Sequence, residues 1–418
     1  MARSTPLELT KSGWQRHHTV IALCLLAVFV GYTDRVNISV AAVAMRRQFG
    51  WSQTTKGLVL AAFAVGYFLC LALSGWLAQR FGGRKVMLVA VLWWSLFTLL
   101  TPWSAYQSLG LLIAARIGLG MGESAVFPSS YELFARWVPP LSRARAIAIL
   151  YSGVPLGQVV GLLGTGWLTA RYGWPWAFYL FGACGTLWAL LWITRLPRLE
   201  QVSHLAVSSE SAPTPWRALL THPPVWAIVV GNFSSNWCLY FFLAWLPSYF
   251  AEYLHLDLAN AGLFSALPWL TAMLSTNLSA IVSDRVAPVL GATIVRKAAL
   301  SGGLMLCSLF LLLARHVHSA NSALACICAS AGALGFTWTG YGPNVLDVAP
   351  RHASVVAGIS NTIATLPGIV GVALVGWLVD TTGTYSSVFV LTAAVGVGGA
   401  LFYLAFGSAR PMELKLRT

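Results

Sequence analysis

Four ionisable side chains stand inside long apolar stretches of this 418-residue chain: Asp34, Arg35, Arg116 and Glu123. A charge facing lipid at the centre of a helix costs about 2.5–3.5 kcal/mol on insertion scales, so such residues normally face a cavity and mark a pathway. Arginine stays charged at any physiological pH and presents a planar fork that matches carboxylate or phosphate oxygens. Arg35 and Arg116 therefore point to an anionic ligand. Carboxylates inside a membrane protein are the groups able to take up and release protons along a pathway, which makes Asp34 and Glu123 the proton-coupling candidates. The other reading of the four is structural: buried salt bridges, Asp34 with Arg116 or Arg35 with Glu123, that hold helices together. Arg116 and Glu123 are seven residues apart, so they share a helix face about 10 Å apart along the axis, with Gly120 between them. Asp34 and Arg35 are adjacent, diverge by about 100° around a helix and are not expected to pair with each other.

Polar and aromatic residues recur at helical spacing elsewhere. Asn232, Asn236 and Tyr240 follow i, i+4, i+8; Thr337, Tyr341 and Asn344 follow i, i+4, i+7; Ser360, Asn361 and Thr362 interrupt an apolar run beside Thr365; Tyr67 lies in another. Such groups can orient a polyhydroxylated or carboxylated ligand, and each can equally serve as an interhelical hydrogen bond. An enzyme needs a nucleophile with its base, or a metal cluster. The apolar runs hold neither a histidine nor a Ser-His-Asp set, and the histidines, including His17-His18, fall in tails and connections. Cys24, Cys70, Cys184, Cys238, Cys307, Cys326 and Cys328 form an odd set without metal-ligand spacing and read as small apolar packing residues. No catalytic residue, metal or cofactor is expected.

The elements that position these residues follow from composition. The chain is 57% hydrophobic and 9% charged, where a soluble protein carries roughly a quarter charged residues. A bilayer core of about 30 Å needs about 20 apolar residues per helix. Twelve such segments predict an all-α membrane protein of twelve transmembrane helices, at 19–43, 56–78, 86–103, 109–135, 144–170, 175–194, 224–250, 260–283, 298–314, 321–348, 354–380 and 386–407. The polar stretch ahead of the first helix, with no cleavage site after it, reads as a retained first helix rather than a signal peptide. The net charge of +14 reflects orientation rather than a nucleic-acid partner. Most Lys and Arg residues fall in the tails and the even-to-odd connections, whereas the opposite side holds only Arg46, Arg47, Lys56, Arg171 and Arg315, which places both termini in the cytoplasm.

The long polar interior segment from Pro197 to Pro224 divides the chain into two six-helix bundles. The expected organisation is a cytoplasmic tail over 1–18, a bundle over 19–196, a cytoplasmic linker over 197–223, a second bundle over 224–407 and a cytoplasmic tail over 408–418. A shorter repeat lies within each half. Gly75-Trp76-Leu77 with Gly82, Gly166-Trp167-Leu168 with Gly173 and Gly376-Trp377-Leu378 with Gly383 close helices two, five and eleven, and the weaker Ala280-Ile281-Val282-Ser283-Asp284-Arg285 closes helix eight. A three-helix unit used four times explains the placement, as in transporters built from repeats. Glycine ladders at Gly153, Gly157, Gly161 and Gly164 and at Gly358, Gly368, Gly371 and Gly376 suit close helix packing. Pro155 and Pro367 are expected to kink or loosen their helices.

Several motifs together resemble one family over nearly the whole chain. They are Asp34-Arg35-Val36-Asn37-Ile38-Ser39, the run from Arg116 to Pro128, Trp137-Val138-Pro139-Pro140 with Arg143 and Arg145, Asn236-Trp237 with Tyr240, and Ala349-Pro350-Arg351 with Gly358-Ile359-Ser360-Asn361-Thr362. The chain resembles the anion:cation symporters of the major facilitator superfamily, which include bacterial hexuronate and galactonate transporters, sialin, the vesicular glutamate transporters and plant plastid phosphate and anion transporters. The resemblance implies a major facilitator fold that alternates access around a midplane site. It implies Arg35 and Arg116 as substrate-binding arginines, Asp34 and Glu123 as protonation sites, and Tyr67, Tyr240, Ser360 and Asn361 as cavity positions. Where the animal vesicular members carry a histidine, this chain has Leu60, which speaks against proton chemistry of their kind. A gate loop between helices two and three retains Gly75, Arg80, Gly82, Gly83, Arg84 and Lys85, but Gln79 stands at its usual acidic position; an amide can still hydrogen-bond to a helix N-terminus.

The expected function is secondary active transport, a proton-coupled symport of a small organic anion by alternating access, with sugar acids such as hexuronates, aldonates or aldarates preferred. Asn236 and Tyr341 join the cavity residues as substrate-binding candidates. The alternative keeps the fold but carries inorganic phosphate or another simple anion with sodium coupling or exchange. A non-transporting receptor is the remote alternative, and the chain offers no sizeable soluble domain for one. The expected partners are the anion, protons and the lipid bilayer, the expected state a monomer in the cell (inner) membrane.

Overall fold

A computed structural model describes residues 16–139, 142–196, 215–350 and 352–412. It contains twelve helices long and apolar enough to cross a membrane: α1 His17–Phe49, α2 Gln53–Phe81, α3 Gly83–Gln107, α4 Leu109–Trp137, α5 Arg145–Tyr172, α6 Pro175–Arg195, α7 Pro223–Tyr253, α8 Leu258–Leu290, α9 Ala292–Ala314, α10 Ala320–Val348, α11 Ala353–Thr382 and α12 Ser386–Phe406. Each covers one hydropathic segment, and most run several residues further because the caps lie outside the apolar runs. Ser52 accepts from the Thr55 amide at 3.0 Å and starts α2; Asp257 accepts from the Ala259 and Asn260 amides at 3.0 Å and starts α8.

The repeat is visible at the helix ends. Gly82, Gly173, Gly291 and Gly383 follow α2, α5, α8 and α11 with φ of 82°, 93°, 86° and 68°, a region that costs glycine nothing. Helix eight corrects the sequence reading, since it continues past Asp284-Arg285 to Leu290, and Ala280–Arg285 lie within it. Its closing glycine therefore sits further along than in the other copies. Of the stretch expected as linker, 197–214 lies outside the described residues, as do Pro140 and Arg351 of the motifs. The rest contains a short helix, Trp216–Thr221, whose Leu219 is buried against Val225 and Ile228.

Glycines set the helices at backbone distance. A Cβ on Gly153 or Gly157 would meet the carbonyls of Leu25 and Phe29 at 2.9 and 2.4 Å, so α5 lies directly on α1. A Cβ on Gly66 would fall 1.9 Å from the Ile117 carbonyl and one on Gly120 2.1 Å from the Phe63 carbonyl, which binds α2 to α4. Gly164 instead faces Phe181 of α6, and Gly358 faces open space. Pro367 opens a π-helical turn over Pro367–Gly371 within α11, and α4 breaks between Glu123 and Val126. There Pro128 cannot donate to the preceding turn.

Polar contacts between the halves gather at one face. There Arg46, Gln53, Thr54 and Lys56 hydrogen-bond or pair with Ser248, Glu252 and Asp380. These lie at the face opposite the termini. Toward the terminus face, Tyr131, Tyr151, Asn361 and Thr362 are exposed. The molecule is thus closed at the far face and open at the face that carries its ends.

Candidate functional site

Gly66 and Gly120 bring Phe63 and Tyr67 of α2 up to Arg116 and Glu123 of α4, and α1 adds Tyr32, Asp34 and Arg35. The Arg35 guanidinium carbon lies 4.5 Å from the Tyr32 ring centre, 4.6 Å from Phe63 and 4.8 Å from Tyr67. This aromatic cage favours the cation electrostatically. Nε and Nη2 of Arg35 donate to Glu123 Oε2 at 3.2 and 3.1 Å. Of the two pairings open in sequence, Arg35–Glu123 is formed. Glu123 Oε1 has no hydrogen-bond partner.

Arg116 is only 1% exposed, and its Nε and Nη1 have no hydrogen-bond partner, although Phe63 lies 5.6 Å from its guanidinium carbon. Buried donors of this kind are normally satisfied, so Arg116 retains capacity for oxygens of a ligand. Asp34 points the other way, as the angular argument requires. It is fully buried beside Trp94 and Thr98 of α3, and neither carboxylate oxygen has a hydrogen-bond partner. Asn37, one turn on, is equally buried with both amide atoms unpartnered, as are Trp94 Nε1 and Ser95 Oγ. Asp34 thus faces a polar compartment inside the N-terminal half, while Arg35 faces the boundary between halves.

Across that boundary Tyr240 stands opposite the arginines. A small cavity is lined by Arg35, Ser39, Leu60, Phe63 and Arg116 on one side and by Tyr240, Leu243, Gly368 and Val372 on the other. Gly368 makes room, since a Cβ there would lie 2.7 Å from the Tyr240 ring. Toward the terminus face, Asn232 Nδ2 donates to Ser360 Oγ at 2.9 Å and Asn361 Oδ1 at 3.1 Å, and Asn236 Nδ2 donates to Asn232 Oδ1 at 2.7 Å. These amides and hydroxyls of α7 and α11 form one neutral network. Tyr341 is half-buried among apolar side chains and makes no side-chain hydrogen bond among the described residues. It does not line the small cavity. Asn344 of the same stripe faces away, donating to Tyr403 at 2.6 Å.

At the gate loop Gln79 is exposed and makes no side-chain hydrogen bond among the described residues. A Cβ on Gly75 or Gly82 would meet nothing within 4 Å. Arg80 stacks over Trp76 and Phe81, Arg84 donates to the Leu196 carbonyl at 3.3 Å, and Lys85 is exposed. Glu132, which sequence reasoning passed over, caps α3 through the Gly83 amide at 2.7 Å and pairs with Arg136. Larger omissions are Lys56 and Glu252. Lys56, read from sequence as a flanking charge, is fully buried and 2.8 Å from Glu252 of α7. It occupies the first turn of α2, whose Ser52 cap was the available signal. The expectation that ionisable residues inside the helices number four is corrected accordingly.

Comparison with known proteins agrees with this architecture. Residues 24–372 match the family model of the Major Facilitator Superfamily. The chain is 35% identical over 412 residues to probable anion transporter 4, chloroplastic, of Oryza sativa subsp. japonica, covering 94% of this chain and 70% of that protein. It is 34% identical to the ascorbate transporter, chloroplastic, of Arabidopsis thaliana (96% and 77% covered). It is 32% identical to sodium-dependent phosphate transport protein 1, chloroplastic, of the same plant (97% and 82% covered). In fold it is similar to a crystal structure of a D-xylose–proton symporter (TM-score 0.77, 17% identity, 95% and 100% covered). A bacterial homologue of the human lysosomal transporter Spinster, inward-facing, gives a TM-score of 0.76 at 19% identity with 95% and 97% covered. The twelve-helix chain belongs to the Major Facilitator Superfamily, and it is a multi-pass membrane transporter, not an enzyme.

Proposed function

We propose that the protein is a proton-coupled symporter of a small organic anion, a sugar acid of the hexuronate, aldonate or aldarate kind. The observation that carries this reading is the division of the site. Arg35 and Arg116 lie in the N-terminal half, and the wall opposite them is neutral: Tyr240 and the Asn232–Asn236–Ser360–Asn361 network. A ligand with one charged end and a hydroxylated body fits both walls. A carboxylate on Arg35 meets Glu123 already there, so anion and carboxylate compete for one guanidinium, and protonation of Glu123 relieves the competition. Asp34, in its separate polar compartment, is the second proton carrier. Tyr341 has the weakest place among the substrate-binding candidates. The gate loop from Gly75 to Lys85 acts at the terminus face, which we assign to the cytoplasm of a cell (inner) membrane; the transporting unit is the monomer.

A second reading, transport of inorganic phosphate or another simple anion with sodium coupling, is supported by the sodium-dependent phosphate transport protein among the relatives. Uptake into proteoliposomes of labelled D-glucuronate, D-gluconate, L-ascorbate and phosphate, under an imposed pH or sodium gradient, separates the two. Sugar-acid uptake that follows the pH gradient and is abolished in Arg116→Ala supports the first reading. Phosphate uptake that follows sodium alone refutes it.

A further inference from the structure

Glu252 presents its carboxylate to three side chains of the opposite half. Its Oε2 accepts from Lys56 Nζ at 2.8 Å and Gln53 Nε2 at 2.9 Å, and Arg46 Nη1 stands 3.5 Å from Oε1. Lys56 is fully buried; its Nζ also reaches Ser248 at 2.9 Å and lies 4.9 Å from the Trp245 ring centre. The three donors come from α1 and α2, whereas the acceptor comes from α7, so they belong to opposite halves. One donor of the receptor is still free, because Arg46 Nε is buried without a hydrogen-bond partner.

Opening the far face must draw α7 away from α2. Glu252 then leaves with its half, while Arg46, Gln53 and Lys56 stay together. Parted from Glu252, the two cations and the amide are left together at the water-filled entrance, a positive cluster that attracts an anion. We propose that Arg46, Gln53 and Lys56 form an outer anion-binding site, which Glu252 fills while the far face is closed and which takes a carboxylate-bearing solute when the halves part. The site lies on the route from the far face to Arg35 and Arg116, so an arriving anion meets it first. Exchange of Glu252 for a solute carboxylate makes opening depend on the anion. This inference rests on the transport reading above, but its test does not need transport to be measured.

The test places a reporter cysteine at Val375, which is 2% exposed in an apolar cluster drawn from both halves, in protein whose seven native cysteines are replaced. Arg116→Ala is added to disable the central site, and a charged methanethiosulfonate is applied to the purified protein in detergent. Sodium D-gluconate is compared with sodium chloride at equal ionic strength, with inorganic phosphate as a second oxyanion. Gluconate is expected to speed labelling at least threefold and saturably. The effect should vanish in Lys56→Met and in the Lys56→Gln/Glu252→Gln pair, which keeps an uncharged hydrogen bond and guards against misfolding. Glu252→Gln alone should label at least tenfold faster in chloride, because the closed state has lost its internal anion. Labelling that ignores gluconate, or that gluconate accelerates equally with Lys56 replaced, overturns the proposal. If the central site is not an anion site, the response is the same with and without Arg116→Ala, and the comparison across the Lys56 variants still decides.

Discussion

Glu123→Gln is the most informative single change, because it removes a charge and keeps a shape. Glu123 Oε2 accepts two bonds from Arg35 at 3.2 and 3.1 Å, and the glutamine amide oxygen can accept both. What is lost is the charge assistance. Hydrogen bonds to charged groups contribute about 1.5–3 kcal/mol and neutral ones about 0.5–1.5 kcal/mol, a difference of roughly 1–1.5 kcal/mol. The larger penalty of about 3–5 kcal/mol for stripping a buried pair of one partner does not apply, because the amide remains and three aromatic rings still face the guanidinium. An anion that must win Arg35 from Glu123 should then bind about 5- to 12-fold more tightly to the variant. Titration calorimetry with the sugar acid that the uptake screen identifies gives the affinity. Proteoliposomes give the second half: exchange across the membrane should persist while accumulation driven by a pH gradient is lost. Weaker binding, or undiminished pH-driven accumulation, would refute competition at Arg35.

Gly120→Ala should cost about 1–3 kcal/mol by overpacking, since its Cβ would lie 2.1 Å from a carbonyl of α2; a denaturant titration of the purified protein checks this. Gly368→Ala should displace the Tyr240 ring and raise KM several-fold with little change in folding, read from uptake kinetics beside a melting curve. Asp257→Ala should remove the α8 cap at a cost of about 1 kcal/mol. The Asn260 and Ala259 bonds hold the Asp257 carboxyl below its usual range. Its contribution is therefore present above the ordinary carboxylate value and is lost as pH falls through the lowered folded value, which melts at pH 7 and pH 3 compare.

The helices and the halving were legible because hydropathy is a local property and bilayer thickness fixes the span. Helix ends were not, because polar caps such as Ser52 and Asp257 lie outside the runs that hydropathy detects. Glu252 fell in such a missed turn, and Lys56 stood at the very edge of a predicted segment where it read as a flanking charge, so the closure of the far face went unseen. Within the site, residue types at Arg35, Arg116 and Glu123 identified charged positions, and adjacency separated Asp34 from Arg35. The choice of Glu123 as the partner of Arg35 depended on how α1 and α4 are rotated: Gly66 and Gly120 set α4 against α2, and Gly153 and Gly157 set α1 against α5. Tyr341 and Asn344 show the converse. Helical spacing grouped them with the cavity, but a stripe does not reveal which neighbour it faces.

Arg35, Arg116 and Lys56 stand against Asp34, Glu123 and Glu252, six ionisable side chains withdrawn from water. With all of them ionised their sum is zero. A bound monoanion makes it −1, and one proton on either Asp34 or Glu123 restores neutrality. In the language of the membrane potential, an anion that travels with one proton carries no current, whereas each further proton adds work of about 2.3 kcal/mol per 100 mV for a full crossing. Currents across a planar bilayer holding the protein therefore report how many protons accompany each anion.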